Sequence, residues 1–183
     1  MPTSTATNSF TQRLIGALSL DAAIYEEVEA DRTATGQALA VVLLSSVAAG
    51  LGSRGIQEPT LGSVIFISMV SLVAWVAWAL LTFQIGGRLM PEPQTRVDPG
   101  ELLRTIGFAS TPGLLRIMGI IPGVTIPVFA ATAVWMLVAT IIAVRQALDY
   151  TSTGRAVAVC ALGWLLAIGI AVVLGLFFGP ALS

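Results

Sequence analysis

The chain of 183 residues contains no histidine and no lysine, and only one cysteine. Without histidine there is no imidazole base, no Ser-His triad and no histidine metal ligand. Without lysine there is no Schiff-base amine and no Walker-type phosphate lysine. Cys160 alone cannot close an internal disulfide, and one thiol with no histidine beside it makes a poor metal site. Charge is scarce too. Only 10% of the residues are charged, against about 25% in an average soluble domain. All nine basic residues are arginine, and ten acids bring the net charge to −1, the wrong sign for a nucleic-acid surface. No Lys or Arg precedes an apolar run in Met1–Ser9, so the N-terminus does not read as a signal peptide.

Apolar residues take the place of the missing charge. They make up 56% of the chain, and the mean hydropathy is +0.90. That is enough for about five spans of ~20 residues. The composition excludes an ordinary soluble enzyme, a disordered chain, a coiled coil and a disulfide scaffold. It predicts an all-α polytopic membrane protein: five transmembrane helices preceded by an interfacial amphipathic helix.

Along the chain, residues 1–8 read as a disordered tail. Residues 9–32 read as cytoplasmic and interfacial helices, and residues 33–183 as the membrane domain. Ser9 and Gln12 form a capping box, and Phe10, Leu14 and Leu18 share one face of the helix that follows. Asp21 caps a second short helix, whose Glu26, Glu27, Glu29 and Asp31 form an acidic patch that suits a solvated face, a cation or a basic partner. The apolar runs predict spans over 36–51, 61–85, 102–121, 125–144 and 156–178. The third opens on Asp98, Pro99 and Glu101, an acidic cap with proline in the first turn. It contains Pro112 and Gly113, where a helix break is expected because proline lacks the donor and crowds the preceding turn. With five spans, Arg13, Arg32, Arg88, Arg96, Arg104, Arg145 and Arg155 lie on one side, and Arg54 and Arg116 on the other. The positive-inside rule then puts the N-terminus in the cytoplasm and the C-terminus outside.

Few residues in the spans could carry chemistry. Arg116 is the only charge well inside an apolar stretch. It reads as snorkelling to the outer headgroups, or as a contact to lipid or a partner. Gly163, Ala167, Ala171, Gly175 and Gly179 recur every four residues, a spacing that lets helices approach closely. This stripe suits packing inside the bundle or docking of another subunit. No catalytic, cofactor-binding or metal-binding set emerges.

Several segments together carry a family resemblance. They are Tyr25-Glu-Glu-Val-Glu-Ala-Asp31, Leu103-Arg-Thr-Ile-Gly-Phe-Ala109 with Pro112, Ile121-Pro122-Gly123, Trp135, and Val144-Arg-Gln-Ala147 followed by Arg155-Ala156. In order and spacing the chain resembles the bacterial branch of the Yip family over about residues 10–178. Eukaryotic members of that family are five-span membrane proteins that interact with Rab GTPases. The resemblance implies a cytoplasmic N-terminus. The Asp-Leu-Tyr-Gly-Pro-type motif of the eukaryotic branch is missing, so its trafficking role is not carried over. The expected function is a non-enzymatic scaffold or accessory subunit in the bacterial inner membrane, in contact with the lipid bilayer and with other membrane subunits or itself. The alternative is a small oligomeric transporter or channel with a pathway near the broken third span.

Overall fold

The computed structural model describes residues 8–53 and 60–178, except for the side chains of Ile67, Ala171 and residues 173–178. Among the described residues the chain is helical and has no strand. Two short helices come first, α1 (Phe10–Leu18) and α2 (Ala22–Ala30). The Ser9 hydroxyl accepts from the Gln12 amide, and the Gln12 side chain accepts from the Ser9 amide, which completes the capping box. The Asp21 carboxylate accepts from the Ala23 amide at 3.0 Å and starts α2. Phe10 and Leu14 face protein, in a core cluster with Ala17, Tyr25, Val28, Val41 and Phe108. The Trp135 indole donates to the Leu18 carbonyl at 3.0 Å, so the α1–α2 turn reaches the middle of the helix α6 (Thr125–Ala147).

The long helices follow: α3 (Ala34–Gly52), α4 (Leu61–Thr82), α6 (Thr125–Ala147) and α7 (Thr153–Phe178). Among the described residues, four helical stretches are long and apolar enough to cross a membrane: Ala34–Gly52, Leu61–Leu89, Thr125–Ala147 and Thr153–Ile170. The second of these includes Phe83–Leu89, where α4 widens into a π-helical turn.

The third apolar segment is built differently. Helix α5 (Pro99–Ala109) starts from a capping box between Asp98 and Glu101. It stops before Pro112, whose ring crowds the carbonyl four residues back and which brings no amide to it. That carbonyl, on Phe108, accepts instead from the Thr111 hydroxyl at 2.6 Å. The chain continues as a 3-10 helix over Thr111–Ile120, which contains Pro112 and Gly113. Gly123 then turns the chain at φ +83°, a left-handed conformation that suits glycine. Neither half is a full span by itself. End to end, at about 1.5 and 2.0 Å rise per residue, the two give roughly 35 Å of helix.

The third segment runs parallel to α3 in close backbone contact. A Cβ on Gly107 would lie 2.7 Å from the Cβ of Ala38. One on Gly113 would overlap the Ser45 hydroxyl, and one on Gly119 would lie 2.6 Å from the Gly52 carbonyl. The partners on α3 are seven residues apart and the glycines six apart, because the break and the tighter helix use fewer residues for the same rise. Gly107→Ala should therefore destabilise the bundle by about 1–3 kcal/mol through overpacking. Ala38→Gly should restore part of the loss. Gly169→Ala, with nothing within 4 Å of its would-be Cβ, should cost nothing of this kind. Thermal melts of the purified protein in detergent check all three.

Candidate functional site

Two places concentrate polar groups: the end of the bundle that carries α1 and α2, and a cleft beside Arg116. At the first, Arg13 lies on the apolar face of α1, and only 1% of it is exposed. Its guanidinium donates to Glu27 at 2.9 Å, to Asp31 at 2.6 Å and to the Gln37 side chain at 2.9 Å. One buried cation thus ties α1 to α2 and to the first turn of α3. Burial opposes the charge on Arg13, but the hydrogen bonds to Asp31 and Glu27 outweigh it and hold the group above its ordinary value. Hydrogen bonds from Thr33 and Arg13 pull the Asp31 carboxyl down to about 2.

Arg104 makes a second tie. It is buried on α5, and its Nε donates to the carbonyls of Val28 at 2.9 Å and Glu29 at 3.0 Å. Nη2 donates to the Glu29 carbonyl as well. These are last-turn carbonyls of α2, which have no partner inside the helix and carry its negative dipole end.

The loop after α4 and the link after α6 clasp each other. The hydroxyl of Tyr150 lies 2.9 Å from the Gly86 carbonyl and 2.8 Å from that of Met90, and shares its proton between them. It thereby satisfies carbonyls at the widened end of α4. Thr95 donates to the Leu148 carbonyl, and the Glu92 carboxylate accepts from the backbone and hydroxyl of Thr151. Arg155 pairs with the other oxygen of Glu92 at 3.4 Å.

The acidic patch of α2 is therefore not one solvated face. Glu27 and Asp31 hold Arg13, and Glu26 accepts from Gln146 at 2.7 Å. Glu29 lines a cavity of about 680 Å³ with Glu26, Gln94, Arg145, Asp149 and Tyr150. Burial, with Asp149, Glu101 and Glu26 nearby, pushes its carboxyl up to about 7, and Arg104 offsets this only in part.

The second place lies among the long helices. A cleft of about 470 Å³ is walled by Ser45 of α3, Ser71, Trp75 and Trp78 of α4, Met136 of α6, and Arg116. Half-buried Arg116 donates through Nε to the Thr132 hydroxyl at 3.2 Å and stands 5.3 Å from the centre of the Phe129 ring. Pro112 and Gly113 are buried, Gly113 against Ser45 of α3, and neither lines the cleft.

On α7, Gly163 packs on the Trp78 ring, where an added Cβ would sit at 3.0 Å. Trp78 also meets Trp164 edge to face at 6.3 Å. Ala167 is exposed. Gly179 and the side chain of Ala171 lie outside the described residues, as do the surroundings of Gly175. Of the described members, Gly163 lies at a seam with α4 and Ala167 on an open face.

The sequence reading missed the Arg13 triad and the glycine register. Signals for both exist. Arg13 falls on the stripe of Phe10 and Leu14, and Glu27 and Asp31 are one helical turn apart. The glycines at 107, 113 and 119 recur every six residues.

Glu29 makes a pH prediction. Its folded value, about 7, lies above the ordinary 4.5, so the folded state holds the proton more tightly than the unfolded state. Its contribution to stability is greatest below 4.5 and is lost as pH rises through about 7. Glu29→Gln should therefore melt above the parent protein at pH 8 and close to it at pH 4.5. A constant difference between the two across that range would contradict the assignment.

The family model of the Yip1 domain matches residues 17–174. No curated protein matches the chain, and no solved structure does. The Yip1-domain match takes in α2, all the long helices and the broken third segment, and the chain belongs to the Yip family of membrane proteins.

Proposed function

We propose that the protein is a non-catalytic membrane scaffold or accessory subunit that packs against other membrane proteins or shapes the bilayer. The observation that carries this reading is how the polar groups are used. Arg13, Arg104, Tyr150, Glu92 and Arg155 all hold one helix or loop to another. The outward faces of α4 and α7 present apolar side chains such as Phe66, Val73, Leu165 and Ile168. Ala167 opens onto that surface and offers a partner helix a close approach.

In this reading the chain crosses the membrane five times. The third crossing is the α5 and 3-10 pair, which keeps pace with α3 from Ala38 to Gly52. The arginine distribution then favours a cytoplasmic N-terminus and an external C-terminus. An arginine-only, alanine-rich composition suits a bacterial inner membrane. A second reading, a small oligomeric transporter, draws its support from the broken segment and the cleft beside Arg116.

Two experiments test these proposals. Gentle detergent purification from the native host should yield a stoichiometric larger complex, and Ala167→Leu should release the partner. A homo-oligomer with ion flux in liposomes would favour transport, and an inert monomer would sink both readings. For topology, single cysteines replacing Ile121 and Ser183 on a Cys160→Ala background should react with an impermeant thiol reagent in intact cells. Gln94→Cys should react only after lysis. Labelling of position 121 or 183 only after lysis would overturn the five-crossing arrangement.

A further inference from the structure

Arg116 is the only charged residue between Arg104 and Arg145. A guanidinium carries five N–H donors. Here one goes to Thr132, and the guanidinium lies over the Phe129 ring. The two terminal nitrogens reach no acceptor among the described residues, and no acid pairs with the group there. A cation in apolar surroundings with unfilled donors is costly, and an anion offsets that cost.

The space beside it suits such an anion. At about 470 Å³ the cleft falls within the roughly 300–1,000 Å³ range of ligand pockets. Ser71 lines it, Ser45 lines it with its Oγ turned against Gly113, and Trp75, Trp78 and Met136 give it apolar and aromatic walls. Its walls come from α3, α4, α5, the 3-10 helix and α6. One cation and a serine beside apolar walls match a ligand with one oxyanion on an apolar body.

We propose that this cleft binds the oxyanion of an acidic lipid, with Arg116 as its anchor and Ser71 as a secondary donor. Free phosphate shares the oxyanion chemistry but has no apolar body to cover Trp75, Trp78 and Met136. The inference rests on the membrane-embedded third segment proposed above. The cysteine labelling tests that segment without reference to lipid, so the two ideas can fail separately.

Trp75 and Trp78 serve as reporters in the purified full-length chain in detergent. Brominated phosphatidylglycerol should quench their fluorescence at a mole fraction about tenfold lower than brominated phosphatidylcholine, the selectivity expected of a charge-assisted contact. Arg116→Gln should abolish that preference, and Arg116→Lys should keep most of it. Ser71→Leu fills the cleft and leaves Arg116 in place, so it should weaken quenching by both lipids. Circular dichroism and gel-filtration elution establish that each variant is folded. If Arg116→Gln does not fold, Arg116→Lys and Ser71→Leu still decide the matter. Equal quenching by the two lipids in the parent protein, or an unchanged preference in folded Arg116→Gln, would overturn the proposal. Competition by millimolar inorganic phosphate would overturn the lipid assignment, and its failure to compete would support the lipid.

Discussion

Everything in this bundle is arranged around the close backbone approach of α3 and the segment broken at Pro112. Lipid offers no hydrophobic drive for helices to associate, so packing must supply the attraction. Gly107, Gly113 and Gly119 remove the side chains that would hold the segment away from Ala38, Ser45 and Gly52. Proline and glycine, poor choices for a straight helix, are tolerated because α3 and α6 support the broken piece on its flanks. The break costs a helical hydrogen bond at Phe108, and the Thr111 hydroxyl supplies a replacement. The same break positions Arg116 to face Thr132 and Phe129 of α6 and to open onto the cleft.

A second principle governs the end that carries α1 and α2, where short helices are fastened by charge. Arg13 and Arg104 each meet what a helix end or an acidic pair leaves unsatisfied. Removing one partner from a buried ionic group is strongly destabilising, by about 3–5 kcal/mol when the site is fully dry. The cost around Arg13 is lower, since Glu27 and Asp31 keep some contact with water. The clasp of Glu92, Tyr150, Thr151 and Arg155 joins two loops by the same means. In these ties charge serves the assembly of the bundle rather than a reaction.

Local signals were readable wherever the physics is local. Ser9 with Gln12 and Asp98 with Glu101 announce helix starts, because a cap and its third residue bond each other across a single turn. Long apolar runs announce α4, α6 and α7 by the hydropathy of the residues alone. Partner choice was harder to read. Arg104 lies 75 positions from the Glu29 carbonyl it caps, and Tyr150 lies 64 from Gly86. No local window contains both members of such a pair. The acidic patch looked continuous in sequence, yet the fold divides it among Arg13, Gln146 and a cavity.

By itself the sequence determined the class of the protein and the solvent it needs. Too little charge for a water-facing surface and enough apolar length for several spans leave a helical membrane protein, because in lipid every backbone amide must find its partner within its own helix or a closed barrel. The missing histidine and lysine take imidazole and amine chemistry out of the chain's repertoire. Only the tertiary structure decided which small residues touch, which acids share Arg13, and where Arg116 meets an open cleft. Those outcomes depend on separations of a few ångströms between residues far apart in the chain. Such distances follow from how the helices pack, and composition and periodicity do not contain them.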